Sequence, residues 1–133
     1  MYRVAVDFDG TIVEDRFPEI GRPRLFAFET LKAMQGKGMQ LILWTVRTGP
    51  LLDAAVEFCR QHGVEFYAVN CNHPDEVPTP GMARKISADL FIDDRNVGGL
   101  PPWGEVWHLL SSGEPLPKRE KSRRCGLFAW FCK

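Results

Sequence analysis

Asp7 and Asp9 stand two residues apart in Asp7-Phe8-Asp9-Gly10-Thr11. Carboxylates that close repel one another where solvent is scarce, so the spacing makes chemical sense only if a cation, a shared proton or water relieves the repulsion. A second acidic pair, Asp93-Asp94, lies far downstream. Two such pairs facing each other at one edge of a sheet need a divalent ion, and hard oxygen donors favour Mg2+, which takes few protein carboxylates and keeps several waters. Thr45 closes an apolar run and is followed by Val46-Arg47-Thr48-Gly49-Pro50. A hydroxyl with backbone N–H groups between a strand and a helix makes a cradle for an anionic oxygen. The plainer alternative leaves Thr45 as a strand exit and Arg47 as a solvated surface charge. Lys85 lies in the segment leading to the second acidic pair, where its ammonium could serve as a point charge for phosphate. Arg84 is its direct neighbour, and the sequence does not distinguish which of the two points inward. Gly10 lets the chain turn sharply behind the first pair. Thr45, Lys85, Gly10, Val46 and Arg47 are the candidates for binding phosphate.

These residues need elements that bring them to one place. Tyr2 to Val6 is a short β-branched run that reads as a central parallel strand, which puts Asp7 and Asp9 at its carboxyl end, where open α/β sheets bind ligands. Ile12 to Pro23, with Pro18, Gly21 and Pro23, reads as a loop or small flap. Leu25 to Met34 has helical spacing, closed by Gly36 and Gly38. Gln40 to Thr45 predicts a second buried strand. A helix follows from Gly49 to Gln61, with Pro50 in its first turn and Gly63 past its end. Glu65 to Asn70 and Ala88 to Asp93 predict the third and fourth strands, and Trp103 to Leu110 a final helix. The alternation predicts a three-layer α/β/α sandwich with a parallel, Rossmann-like sheet.

With 133 residues the chain is sized for one small domain with its own core. No apolar run approaches the roughly 20 residues that cross a bilayer, and the start shows no signal-peptide pattern. Cys59, Cys71, Cys125 and Cys132 lack zinc-site spacing, so reduced thiols and a cytoplasmic location are expected. The net charge of zero conceals an asymmetry: residues 1–110 carry 11 Lys and Arg against 15 Asp and Glu, residues 111–133 six against two. An acidic body argues against a large nucleic-acid footprint.

Taken together, the motifs closely resemble those of the haloacid dehalogenase (HAD) superfamily of phosphohydrolases. Asp7 to Thr11 meets its Asp-x-Asp-Gly-Thr motif, Thr45 its strand-ending hydroxyl, Lys85 its basic residue, and Asp93-Asp94 its acidic pair, in order over residues 3 to about 110. The resemblance implies a HAD-like catalytic domain that is a Mg2+-dependent phosphatase, a phosphoric monoester hydrolase. Asp7 would be the nucleophile that forms an aspartyl-phosphate, and Asp9 the acid for the leaving oxygen and then the base for water. Mg2+ would be held by the Asp7 side chain, the Asp9 backbone carbonyl and Asp93, with Asp94 acting through a metal-bound water. Thr45 and Lys85 would hold the phosphoryl oxygens. The strand order of such proteins would set the fourth strand beside the first. Asp9 separates this chain from superfamily members that act on carbon, which lack the second carboxylate. The connections after the first strand and between Thr45 and Lys85 leave no room for a cap domain. An open site of that kind suits a bulky or macromolecular phosphoester, or cover from an oligomeric neighbour. Two rivals share the motifs: a module that binds a phosphorylated ligand or partner without turnover, and a phosphotransferase.

Other features read as structural. Cys71-Asn72-His73 is a loop near the site's rim, Arg95 and Asn96 follow the second acidic pair as substrate selectors or as its partners, and Trp44 and Trp103 belong to the core. Residues 111–133 form a linker and a tail, basic over Lys118 to Arg124 and apolar over Cys125 to Cys132. The tail is expected to pack on protein, within the chain or in a homo-oligomer.

Overall fold

The computed structural model describes residues 2–112. Strand β1 (Arg3–Val6) is the axis of the molecule, because it pairs on both sides. Beyond it come a hairpin of β2 (Val13–Arg16) and β3 (Glu19–Pro23), helix α1 (Ala27–Gly36), β4 (Gln40–Leu43), helix α2 (Gly49–Gln61), β5 (Ala68–Val69), β6 (Leu90–Ile92) and helix α3 (Trp103–Ser111). The main sheet has the order β5-β4-β1-β6 and every pairing in it is parallel. Val6 lies opposite Leu43 on one side and Ile92 on the other. Three strands therefore end level, and the residues that follow them share one edge of the sheet.

The period of two sorts the strands between two faces. Val4, Val6, Leu41, Leu43, Val69, Leu90 and Ile92 face one cluster, and Ala5, Ile42, Ala68 and Phe91 face the other. All three helices contribute to the first cluster: Ala27, Phe28, Leu31 and Met34 from α1, Ala55 and Cys59 from α2, Trp103 and Val106 from α3. The apolar stripe of α1, at i, i+1, i+4 and i+7, is the face it buries. Its end is closed where Gly38 takes φ +84° and donates its N–H to the Gln35 carbonyl.

The opposite face is built differently. Among the described residues no helix covers it. Ile86, in the irregular run before β6, packs there with Trp44, Tyr67 and Ala88 around it. Pro74, Pro78, Pro80 and Gly81 explain why that run cannot wind into a helix. The same stretch shortens the strands beside it: Glu65–Asn70 was expected and only Ala68–Val69 pairs, and Ala88–Asp93 narrows to Leu90–Ile92. The fold is thus α/β with a four-stranded, all-parallel, Rossmann-like sheet, helical on one face and irregular on the other.

The expected flap is the β2–β3 hairpin. Gly21 allows its strands to close up, since a Cβ there would sit 2.0 Å from the Glu14 carbonyl oxygen. No described helix is long and apolar enough to cross a membrane. The linker and tail expected beyond residue 112, with Cys125 and Cys132, lie outside the described residues.

Candidate active site at the carboxyl edge of the sheet

Because β1 and β6 end in register, Asp7 and Asp93 emerge side by side, and the Asp7 N–H donates to the Ile92 carbonyl at 3.0 Å. Asp7, Asp93 and Asp94 each present one carboxylate oxygen, and the three oxygens lie within 4.8 Å of one another. No salt bridge reaches any of them among the described residues. Burial pushes the Asp7 carboxyl up from 3.8 to about 7; the Thr11 hydroxyl opposes that rise and the charge of Asp93 adds to it. A donor set of three hard, partly buried oxygens with no protein cation fits Mg2+.

Thr11 ties this cluster together. Its hydroxyl lies 2.9 Å from Asp7 Oδ2 and 3.2 Å from Asp94 Oδ1 as a donor, and it accepts the Asp94 N–H at 3.0 Å. The loop that carries Thr11 is wound on one acceptor: the N–H groups of Thr11, Ile12 and Val13 all point at the Phe8 carbonyl. From the far side the Trp103 indole N–H donates to the Thr11 carbonyl at 2.9 Å, so a core tryptophan also fixes the motif. Gly10 makes room for Asp94: it has φ +83°, and a Cβ there would lie 2.3 Å from Asp94 Oδ2. Its N–H is engaged by the Val13 carbonyl at 2.8 Å, so Gly10 shapes the site and does not offer the expected donor to phosphate.

Asp9 has a different environment. Arg47 Nε donates to its Oδ2 at 2.8 Å and Arg47 Nη2 to its Oδ1 at 2.7 Å. The guanidinium is enclosed, with the Phe8 ring 5.1 Å away and the Phe17 ring 5.2 Å away. Its remaining N–H groups donate to the carbonyls of Glu19 (2.8 Å), Pro18 (3.1 Å) and Leu51 (3.4 Å). All five donors of Arg47 are thus engaged. Arg47 is neither a solvated charge nor a free phosphate ligand; it is 1% exposed and bound to the second carboxylate. The Asp9 carboxylate accordingly stands apart from the cluster of three.

Thr45 follows β4 on the same edge. Its N–H donates to Asn70 Oδ1 at 2.8 Å, and its Oγ1 accepts the Arg47 N–H at 3.2 Å. Among the described residues no hydrogen bond uses the Val46 N–H, and the Val46 side chain faces solvent. Of the strand-end candidates, the Thr45 hydroxyl and the Val46 N–H keep a donor that no hydrogen bond among the described residues uses. Asn70 is a positioning residue without a sequence signal of its own beyond its type: it holds φ +55°, a conformation asparagine tolerates better than most. Lys85 is exposed and its ammonium lies over the Phe91 ring at 5.4 Å, directed at none of the carboxylates. Arg84 is exposed as well. Cys71, Asn72 and His73 form a self-contained loop: the Cys71 thiol donates to the His73 carbonyl at 3.2 Å, and Asn72 binds Glu76 and the Ser87 N–H. Arg95 gives its N–H to Asp93 Oδ1 at 2.8 Å, which turns the chain away after the acidic pair; Asn96 is exposed.

No protein-family model matches the chain, and no curated protein does. A solved structure, of the conserved protein coded by locus from Bacteroides thetaiotaomicron, is similar to it at 54% sequence identity and a TM-score of 0.79, over 85% of this chain and 92% of that one. At that identity and coverage the chain belongs to the same family as this conserved protein of Bacteroides thetaiotaomicron.

Proposed function

We propose that the protein is a Mg2+-dependent phosphomonoesterase of the HAD type, without a cap, acting through a phosphoryl group carried on Asp7. The observation that carries this reading is the meeting of Asp7, Asp93 and Asp94 at one strand-end position with no ion-paired cation among the described residues. Asp7, Asp93 and Asp94 would hold Mg2+, which when bound screens the carboxylates from an incoming phosphate dianion and lowers the cost of charge at the transferring group.

The chain's own residues account for the rest. Asp7 attacks phosphorus through a carboxylate oxygen, and the bond to the leaving oxygen breaks with its electron pair going to that oxygen. Asp9 protonates it, then takes a proton from the water that opens the aspartyl-phosphate, so that Asp7 is restored. The Thr45 hydroxyl and the Val46 N–H orient the phosphoryl oxygens, and a Lys85 that leaves the Phe91 face adds a positive charge. Hydrolysis of phosphoesters by the full chain is expected with Mg2+, absent with a chelator and restored on adding the metal back. Full activity in metal-free protein contradicts the reading.

One observation favours a second reading, a module that binds a phosphorylated ligand without turnover: both oxygens of Asp9 are held by Arg47. A phosphoester that binds and is recovered unchanged in the presence of Mg2+ would decide for it.

A further inference from the structure

Arg47 sits in a loop, yet three separate pieces of chain converge on it. Asp9 comes from the turn after β1, Pro18 and Glu19 from the hairpin, Leu51 from the first turn of α2, and the rings of Phe8 and Phe17 enclose it. Phe17 belongs to the tip of the hairpin and is 51% exposed, with Arg47 against its ring and solvent beyond. The hairpin is therefore what separates the Arg47–Asp9 ion pair from water. If the hairpin lifts, Arg47 loses two carbonyls and a ring, water enters, and the attraction between the charges weakens. If Asp9 turns away instead, the guanidinium is left buried with neutral carbonyls alone, and rehydrating it requires the hairpin to move. Each change promotes the other, as coupling between two sites must.

We propose that Arg47 is a positioning residue that couples the β2–β3 hairpin to Asp9, so that the seating of the hairpin decides whether the Asp9 carboxylate is held by Arg47 or released toward the site. The role of the released Asp9 rests on the phosphomonoesterase reading; the coupling rests on the contacts of Arg47. Both Asp9 oxygens are engaged in the closed arrangement, so an oxygen that serves a leaving group must first be given up by Arg47.

The coupling is tested in both directions on the full chain. In Asp9→Asn, amide hydrogen exchange over residues 13–23 should quicken by about tenfold while the amides of Leu41 to Leu43 in β4 keep their wild-type rates. In Phe17→Ser, which alters neither partner of the ion pair, the Arg47 Nε–H followed by NMR should exchange with water about tenfold faster. Phe17→Ser should also raise kcat for an alkyl phosphate more than for 4-nitrophenyl phosphate, with KM unchanged, because only the poor leaving group needs the Asp9 that Arg47 gives up. Wild-type hairpin exchange in Asp9→Asn, or equal acceleration in the hairpin and in β4, overturns the coupling. If a variant does not fold, Arg47→Lys supplies the same hairpin measurement with the charge kept and the paired donors lost. Loss of the phosphatase reading would appear separately, as unchanged hydrolysis in Asp7→Asn, and leaves the exchange result to judge the coupling.

Discussion

Asp7 and Asp9 are separated by one residue, yet Asp7 shares its surroundings with Asp93 and Asp94 and, among the described residues, no salt-bridging cation, whereas Asp9 lies with both oxygens on a buried arginine. Phe8 between them points into the core, edge-on to Phe58 at 6.4 Å, and so divides the motif into two electrostatic compartments. In one, the charge has no balancing cation among the described residues. In the other the charge is balanced by the chain itself, and the pair holds a hairpin, a helix start and the motif together. The first compartment has the character of a ligand site and the second of architecture that chemistry can borrow.

The comparison is broken most severely by removing the balancing charge. Arg47→Ala leaves the largely buried Asp9 carboxylate, 12% exposed, without a partner and should cost about 3–5 kcal/mol of stability, read by urea unfolding. A loss under about 1 kcal/mol would show Asp9 to be solvated, removing the contrast. Next in size is Gly10→Ala, which forces a Cβ into Asp94 from a left-handed backbone. It should lower stability by about 1–3 kcal/mol and weaken Mg2+ binding measured by calorimetry, while the hairpin keeps its hydrogen exchange.

The smallest effect sharpens the contrast through pH. Asp7 holds its proton more tightly in the folded protein, at about 7, than its ordinary value of 3.8. The folded state thus binds more protons over that window, and stability is fully present below about 3.8 and is lost as pH rises through about 7. For a half-buried group the change is on the order of 1–2 kcal/mol after solvent screening. Melting of metal-free protein should follow this slope, and Asp7→Asn should flatten it. A slope unchanged in Asp7→Asn would assign it to another group.

What the sequence made legible follows from its periodicity. β-Branched runs with alternating faces located the strands, and their carboxyl ends located Asp7, Thr45, Asp93 and Asp94 on one edge. Hydropathy alone would put Val46 inside and Arg47 outside, and the structure has the reverse: Val46 is 87% exposed and Arg47 1%. No local pattern announces that inversion, because Arg47 is buried by partners up to 38 residues away in sequence. Asn70 was placed at a strand end without a role, since a side-chain acceptor for the Thr45 N–H is a tertiary contact. What covers the second face was not legible for a related reason: strand order implies a crossing segment after β5, but its prolines dictate that the crossing is irregular. Lys85 shows the limit of motif order alone, which fixes a residue's place in the chain but not the direction of a long side chain.

The central claim is that Asp7 carries the phosphoryl group. Rapid acid quench of the full chain turning over a phosphoester with Mg2+, followed by mass analysis of the peptide containing Asp7, tests it most directly. The account predicts one added phosphoryl group on that peptide, absent with a chelator and absent in Asp7→Asn, which should also have no turnover. Turnover by Asp7→Asn at the wild-type rate, or a phosphoryl group found on a different peptide, would contradict it.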